Sequence, residues 1–272
     1  MDKEAPVRPV TPLIRVGCQN RGMVGSAGPA ALVTGSSRGL GAVIAARLAA
    51  DGFAVAVNGL PGDPGLEQVT AGIRAAGGRA EAFAADVTDE AAGAGLVTAV
   101  EDRLGPLAVL VFNATGPQPN APVEDTGWAE HLAQLVFFVK SPVLLGRAAL
   151  PRMRARGHGR IVHIDTEVAL RPPVGRSAYV TAKAAQIGIG LAWARELAPY
   201  GITVNAVAPG FIPVERHADL PAQTLADYLA TVPAGRLGTP EDVANAVSFF
   251  AAPAAGFITG QRIVVDGGRA LE

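Results

Sequence analysis

Apolar positions along this chain keep two rhythms. Short apolar runs at Ala31–Val33, Phe53–Val57, Ala80–Ala84, Leu107–Phe112, Ile161–Ile164, Ile202–Ala208 and Arg262–Val265 read as strands. Between them, longer stretches at 42–50, 66–76, 89–104, 128–156, 177–199 and 240–251 carry helical spacing. Pro142 is expected to interrupt or kink the 128–156 helix. Gly77-Gly78 reads as a helix stop. Leu107–Phe112 is almost wholly apolar, as a parallel strand buried on both faces must be. Regular alternation of strand and helix argues for one α/β domain with a doubly wound parallel sheet and helices on both faces. A ligand then belongs at the carboxyl ends of the strands.

Residues 1–28 do not share this pattern. Their prolines and glycines, without an apolar period, read as a flexible extension ahead of a single domain over 29–272. Residues 211–235 are polar, marked by proline and only partly helical, and read as a lid over a pocket. Its Phe211, Ile212, Leu220, Leu225, Tyr228 and Leu229 either wall a pocket for a bulky apolar molecule or pack on the sheet or a second subunit.

Chemistry gathers at the strand ends. Thr34-Gly35-Ser36-Ser37-Arg38-Gly39-Leu40-Gly41 lies between a strand and a helix, where glycines let backbone N–H groups approach a diphosphate. The second strand ends in Asn58-Gly59-Leu60-Pro61 without the acid that would hold a ribose 2′-hydroxyl, while Arg38 lies nearby. That combination points to a 2′-phosphate, hence NADP(H). Asp86, before Val87, either accepts from an adenine amino group or caps the helix starting near Asp89. The fourth strand ends in Asn113-Ala114-Thr115-Gly116, small enough for a ribose and nicotinamide to lie against it, or simply a turn.

Tyr179 and Lys183 stand four residues apart on a helix and share a face. An ammonium beside a phenol favours the phenolate, the adjustment a proton-transfer residue needs. With three tyrosines and three lysines in the chain, that spacing is rarely accidental.

Composition narrows the remaining classes. The chain has 272 residues, 49% apolar and 17% charged, with net charge −1, which argues against a nucleic-acid surface. No uninterrupted apolar run approaches the roughly 18 residues of a membrane span. The one cysteine, Cys18, fits a cytoplasmic location without intrachain disulfides. His131, His158, His163 and His217 lack ligand spacing, so no metal is expected. No Gly-x-Ser-x-Gly elbow occurs.

Thr34-Gly-x-x-x-Gly39-x-Gly41, Asn113-x-x-Gly116, Tyr179-x-x-x-Lys183 and Pro209-Gly210, in that order, resemble the classical short-chain dehydrogenases/reductases over about residues 29–269. The resemblance implies a Rossmann-type sheet of about seven strands, a nicotinamide cofactor and a homodimer or homotetramer. It implies Tyr179 as acid/base and Lys183 as the group that lowers the tyrosine pKa and holds the nicotinamide ribose. It places the cofactor against Gly35, Ser37, Arg38, Gly39, Leu40, Gly41, Asn58, Asp86, Val87, Asn113, Ala114, Gly116, Tyr179, Lys183, Pro209, Gly210 and Ile212. The substrate falls against Gln118, Thr166, Phe211 and Val214.

Three positions depart from the family pattern. Thr166 stands where a serine is usual, thirteen residues before Tyr179. Val214 replaces the usual threonine after Pro209-Gly210. No asparagine occurs between Trp128 and Pro142, where one usually supports a water relay to the lysine; its place falls near Phe138 or Leu135. Phe137–Pro142 and Pro213–His217 resemble reductases of actinobacterial secondary metabolism, including those that tailor aromatic polyketides of the angucycline type. The implied activity is NADPH-dependent reduction of a ketone on such a substrate. Reduction of a 3-oxoacyl thioester or steroid-like ketone, or cofactor binding without turnover as a sensor, are the alternatives.

Overall fold

A computed structural model describes residues 28–217 and 221–271; the expected 1–28 extension falls, but for Gly28, outside them, as do lid residues 218–220. Seven parallel strands form one sheet: β1 Ala30–Val33, β2 Ala54–Gly59, β3 Arg79–Ala84, β4 Leu107–Phe112, β5 Gly159–Ile164, β6 Ile202–Pro209 and β7 Arg262–Val265. Their order is β3-β2-β1-β4-β5-β6-β7. The order reverses between β1 and β4, and this switch opens a crevice at the strand ends.

Each strand feeds both faces because side chains alternate. Ala31 and Val33 of β1 join one core cluster, Ala30 and Leu32 the other. The first cluster takes Ile44 and Leu48 of α1 (Gly39–Ala50), Leu66 and Ile73 of α2 (Gly65–Ala75) and Val243, Val247 and Phe250 of the late helix Pro240–Ala251. The second takes Leu96, Val97 and Val100 of α3 (Glu90–Leu104), Leu145 and Met153 of Ser141–Arg156, and Ala194 and Leu197 of Ser177–Leu197. Numbered in order, α4 is Trp128–Leu135, α5 Ser141–Arg156, α6 Ser177–Leu197, α7 Ala222–Leu229 and α8 Pro240–Ala251.

The expected interruption near Pro142 lies just ahead of it. Val136–Lys140 forms a π-helical turn between α4 and α5, and Pro142 sits in the first turn of α5. A proline without an N–H cannot continue the hydrogen-bond ladder backwards, and the wider turn absorbs the mismatch. Helix through Trp128–Arg156 is long and apolar enough, by composition, to cross a membrane, which a count of uninterrupted apolar runs does not reveal. Here Leu145 and Met153 of that stretch are fully buried in the core.

Two asparagines tie the strand ends together. Asn58 is 1% exposed. Its amide donates to the Phe83 and Ala85 carbonyls, and its oxygen accepts from Gly35 N–H. Asn113 donates to the Thr34 and Gly35 carbonyls, while Thr34 Oγ accepts from the Asn113 and Ala114 N–H groups. The Asn58 side chain is thus committed to backbone and fixes the Gly-rich turn from beneath. Asn58→Leu leaves Gly35 N–H and two carbonyls without this partner, at ~1–3 kcal/mol per buried group. Its thermal midpoint should fall by several degrees with the helical signal of the folded state retained; an unchanged midpoint would show that water substitutes there.

Candidate active site

The chain leaves β1 through Gly35, at φ +61°, and Gly39, at φ +54°, a left-handed conformation that side chains disfavour. A Cβ on Gly41 would overlap the Gly35 carbonyl and the Asn113 amide, so the turn and β4 close only around hydrogen. α1 begins here with Arg38 as an extended N-cap whose side chain makes no capping bond. Its first N–H groups therefore lack a side-chain cap and, with the helix dipole, suit an anion. This cradle fits the diphosphate of a dinucleotide.

Beside the turn stands a residue the sequence reading passed over. Asp63 lies two positions beyond Asn58–Pro61, past the end of β2. It accepts from Ser37 Oγ at 2.7 Å and Gly65 N–H at 3.0 Å, and pairs with Arg38 at 3.3 Å. The Ser37 hydroxyl, then Gly65 N–H, hold its carboxyl below the usual range, against the opposing effect of burial. Arg38 is 76% exposed and leans on this acid rather than standing alone. Asp86 accepts from the Thr88 N–H and hydroxyl, and Asp89, not Asp86, caps α3 through Ala92 N–H.

At β4, a Cβ on Gly116 would strike the Phe137 ring, so this glycine makes room for an aromatic wall. Gln118 follows; its amide donates to Thr115 Oγ and its carbonyl accepts from Arg176. At β5, Thr166 is extended, and its hydroxyl oxygen accepts weakly from Val168 N–H at 3.4 Å. That leaves its O–H proton to point elsewhere. Its carbonyl takes Arg262 at 2.6 Å, and Arg262 also pairs with buried Asp165 at 2.5 Å.

Tyr179 and Lys183 lie in the first two turns of α6. Lys183 is 3% exposed. Its ammonium donates to the Ile164 carbonyl at 2.6 Å and to Gln186 Oε1 at 3.0 Å. It also lies 3.9 Å from the centre of the Phe138 ring and 5.9 Å from that of Tyr179. Phe138 meets Tyr179 edge-on, centroids 5.5 Å apart. Of the two positions at which the sequence leaves the missing asparagine, Phe138 is the one set against the pair. The sequence marked Phe138 only as a place for the missing asparagine and did not mark Gln186, since an isolated apolar or amide side chain in a helix carries no chemical signature.

Val214 and Glu215, in the segment after β6, lie against the Gly-rich turn. A Cβ on Gly39 would stand 3.3 Å from Glu215 Oε2 and 3.7 Å from Val214 Cβ. Phe211 packs at a tilt against Tyr228 and His217, and Ile212 is buried. Tyr228 OH accepts from Phe211 N–H at 2.7 Å and donates to Glu167 Oε1 at 2.8 Å; Arg269 pairs with Glu167 at 2.9 Å and covers the Tyr228 ring. A cleft of about 580 Å³ lies beyond Glu167 towards β7 and is not lined by Tyr179 or Lys183. Two of its arginines are already satisfied, Arg236 by Asp242 and Arg262 by Asp165, so the chemistry is assigned to the strand-end crevice instead. Among the described residues, no cluster of three or more metal-ligating side chains occurs.

The chain and its seven-stranded sheet are matched by known proteins. Residues 35–270 match the family model described as enoyl-(acyl carrier protein) reductase. Short-chain reductase protein NovJ of Streptomyces niveus is 38% identical over 247 residues, covering 88% of this chain and 93% of its own. The 3-oxoacyl-[acyl-carrier-protein] reductase FabG of Escherichia coli is 36% identical, covering 89% and 97%. A crystal structure of gluconate 5-dehydrogenase from Burkholderia cenocepacia with NADP and tartrate superposes with TM-score 0.84 at 29% identity, covering 91% and 97%. The chain belongs to the short-chain dehydrogenase/reductase family, nicotinamide-dependent oxidoreductases acting on alcohol and ketone groups.

Burial first, and the Glu167 contact next, push Tyr228 up to about 12, against the opposing bond from Phe211 N–H. A raised folded-state pKa means this phenol contributes stability below its ordinary value of 10.0, lost as pH rises towards about 12. Tyr228→Phe should abolish that loss between pH ~10 and ~12 and cost ~1–3 kcal/mol at neutral pH. Proteolytic nicking within 211–235 should accelerate. Parent and variant with the same alkaline unfolding profile would show that Tyr228 does not hold the lid.

Proposed function

We propose that this protein reduces a ketone to an alcohol with NADPH, on a bulky, largely apolar substrate of the aromatic polyketide kind. One observation carries the reading. The Tyr179 ring and the buried Lys183 ammonium share one face of α6, and that ammonium is anchored to the Ile164 carbonyl, two residues before Thr166. We read Tyr179, Lys183 and Thr166 as the acid, the fixed cation and the hydroxyl that serve the strand-end crevice.

The cofactor, when bound, supplies the hydride that reduces the carbonyl carbon. Every other requirement falls to the chain. The Gly-rich turn and the start of α1 hold the diphosphate. Thr166 donates to the substrate oxygen, a bond stronger on the developing oxyanion than on the ketone. Tyr179 gives that oxygen its proton, and Lys183 stabilises the phenolate left behind. Phe137, Phe211 and Val214 give the pocket apolar walls. The NADP bound by the Burkholderia enzyme supports the cofactor choice, and the Streptomyces relative supports a secondary-metabolic substrate. The family description and FabG favour a second reading, a 3-oxoacyl thioester. We place the single catalytic domain over 29–272, working as a homodimer or homotetramer.

Loss of nicotinamide absorbance with a panel of ketones tests the activity. Polycyclic aromatic ketones should turn over faster than acetone-sized ones or acyl thioesters; the reverse ranking would move the assignment to the second reading. Tyr179→Phe should lower kcat by about 10²–10⁴-fold with cofactor affinity little changed. A variant keeping half its activity would pass the proton-donor role to another group.

The Arg38–Asp63 pair makes a separate prediction. Arg38→Ala should cut the kcat/KM preference for NADPH over NADH by about ten- to a hundredfold, the loss of one charge-assisted bond to a phosphate. Asp63→Asn should raise that preference, because it removes a negative charge beside the 2′-phosphate and releases Arg38. If both substitutions lower it, Asp63 positions Arg38 productively and the competition argued here is wrong.

A further inference from the structure

We propose that Phe138 and Gln186 are positioning residues for the Tyr179–Lys183 pair: the Phe138 ring face holds the buried ammonium and the Gln186 amide oxygen fixes its direction. The inference rests on the reductase reading above and concerns how that site is tuned.

Lys183 enters an interior that offers it little water. A buried ammonium needs electron-rich partners, and the described ones include a backbone carbonyl, an amide oxygen and an aromatic face. The negative face of a benzene ring attracts a cation, more strongly when water is excluded. At 3.9 Å from ammonium to ring centre, the contact is close. Phe138 is itself 2% exposed, so its ring cannot swing away into solvent.

The π-helical turn places this ring. One added residue rotates the following side chains by about 100° relative to an unbroken α-helix. Phe137 then packs on Gly116 and Phe138 lies against Lys183 and Tyr179. Two adjacent aromatics thereby line different parts of one site, one the wall after β4, the other the cation. Gln186 is one turn beyond Lys183 on the same helix face and 2% exposed. Unlike water, an aromatic ring attracts the ammonium without accepting or returning a proton. Lys183 is therefore held charged beside the phenol.

Other titratable groups nearby leave this task to Phe138. Burial first, and the Lys183 charge next, push His163 on β5 down to about 3, so it stays neutral. Asp165 is paired with Arg262, and Glu167 with Arg269. On α4, Glu130 bonds Gly127 N–H and His131 bonds the Gly127 carbonyl, both at its exposed start. Tyr179, on the same helix as Lys183, is the neighbouring phenol the proposal concerns.

Fluorination tests this without changing shape. The full chain would be made with mono-, di- and trifluorophenylalanine at position 138, each step weakening the negative ring face. The first readout is phenolate absorbance against pH, with Tyr179→Phe as the reference that isolates Tyr179 from Tyr200 and Tyr228. Its midpoint should climb stepwise with fluorine number. The second is kcat under saturating NADPH, which should fall stepwise to about two- to thirtyfold below the parent, while the melting temperature stays level. Gln186→Met, which removes the amide oxygen, should also raise the midpoint. A flat titration and flat kcat across the series overturn the proposal while leaving the reductase reading intact. A stepwise titration in a protein that reduces no ketone supports it and overturns the reductase reading. A parent whose Tyr179 midpoint is not depressed overturns it outright.

Discussion

A cation in a dry place is the constraint around which this site is arranged. Lys183 is buried on a helix packed against the sheet, and removing its hydration costs several kcal/mol unless polar groups replace it. The replacement comes from separate elements: the carbonyl at the end of β5, an amide one helical turn on, and an aromatic ring from the π turn. That spacing of α6 from β5 is fixed in turn by the core on that face, which Ala194 and Leu197 share with Ile161 and Ile202. The charge cannot shift without disturbing packing, and the packing exists because the strands are buried on both sides.

The sheet was legible because burial on both faces leaves a plain mark. Leu107–Phe112 reads as a central strand from composition alone, and it holds the middle of the sheet. The Tyr179–Lys183 pair was legible because i and i+4 is a geometric fact of any helix. The π turn was not. Nothing in Val136–Lys140 departs from helical spacing, and its cause, Pro142, lies beyond it. Local pattern marks where a ladder must fail; how the chain relieves the failure depends on what the side chains find to pack against. Phe138 found an ammonium.

The cofactor end shows a different limit. Asn58 stands where a ribose contact was expected, yet its side chain is spent on Phe83, Ala85 and Gly35. The acid sought at the end of β2 comes later, as Asp63, brought back to Ser37 and Arg38 by the loop into α2. Sequence distance from a strand end is a poor measure of spatial distance once a loop turns. The proposed selectivity at that corner would be a balance between a cation and an anion a hydrogen bond apart, which residue identity read singly does not express.

The lid completes the coupling. Tyr228 reaches from α7 to Glu167, and Glu167 follows Thr166 directly in the chain. Arg262 holds the Thr166 carbonyl from β7, and Arg269, just beyond β7, holds Glu167. The hydroxyl proposed to meet the substrate oxygen is therefore braced from the sheet edge, while the residue beside it anchors the lid. Phe211 N–H closes the circuit by donating to the same Tyr228 oxygen that binds Glu167. If the proposed substrate lies beneath residues 211–235, one that displaces them must stretch this bridge, and one that fits leaves Thr166 undisturbed. Shape selection and oxygen positioning are on this account the same event, carried by one buried carboxylate with a tyrosine and an arginine on it.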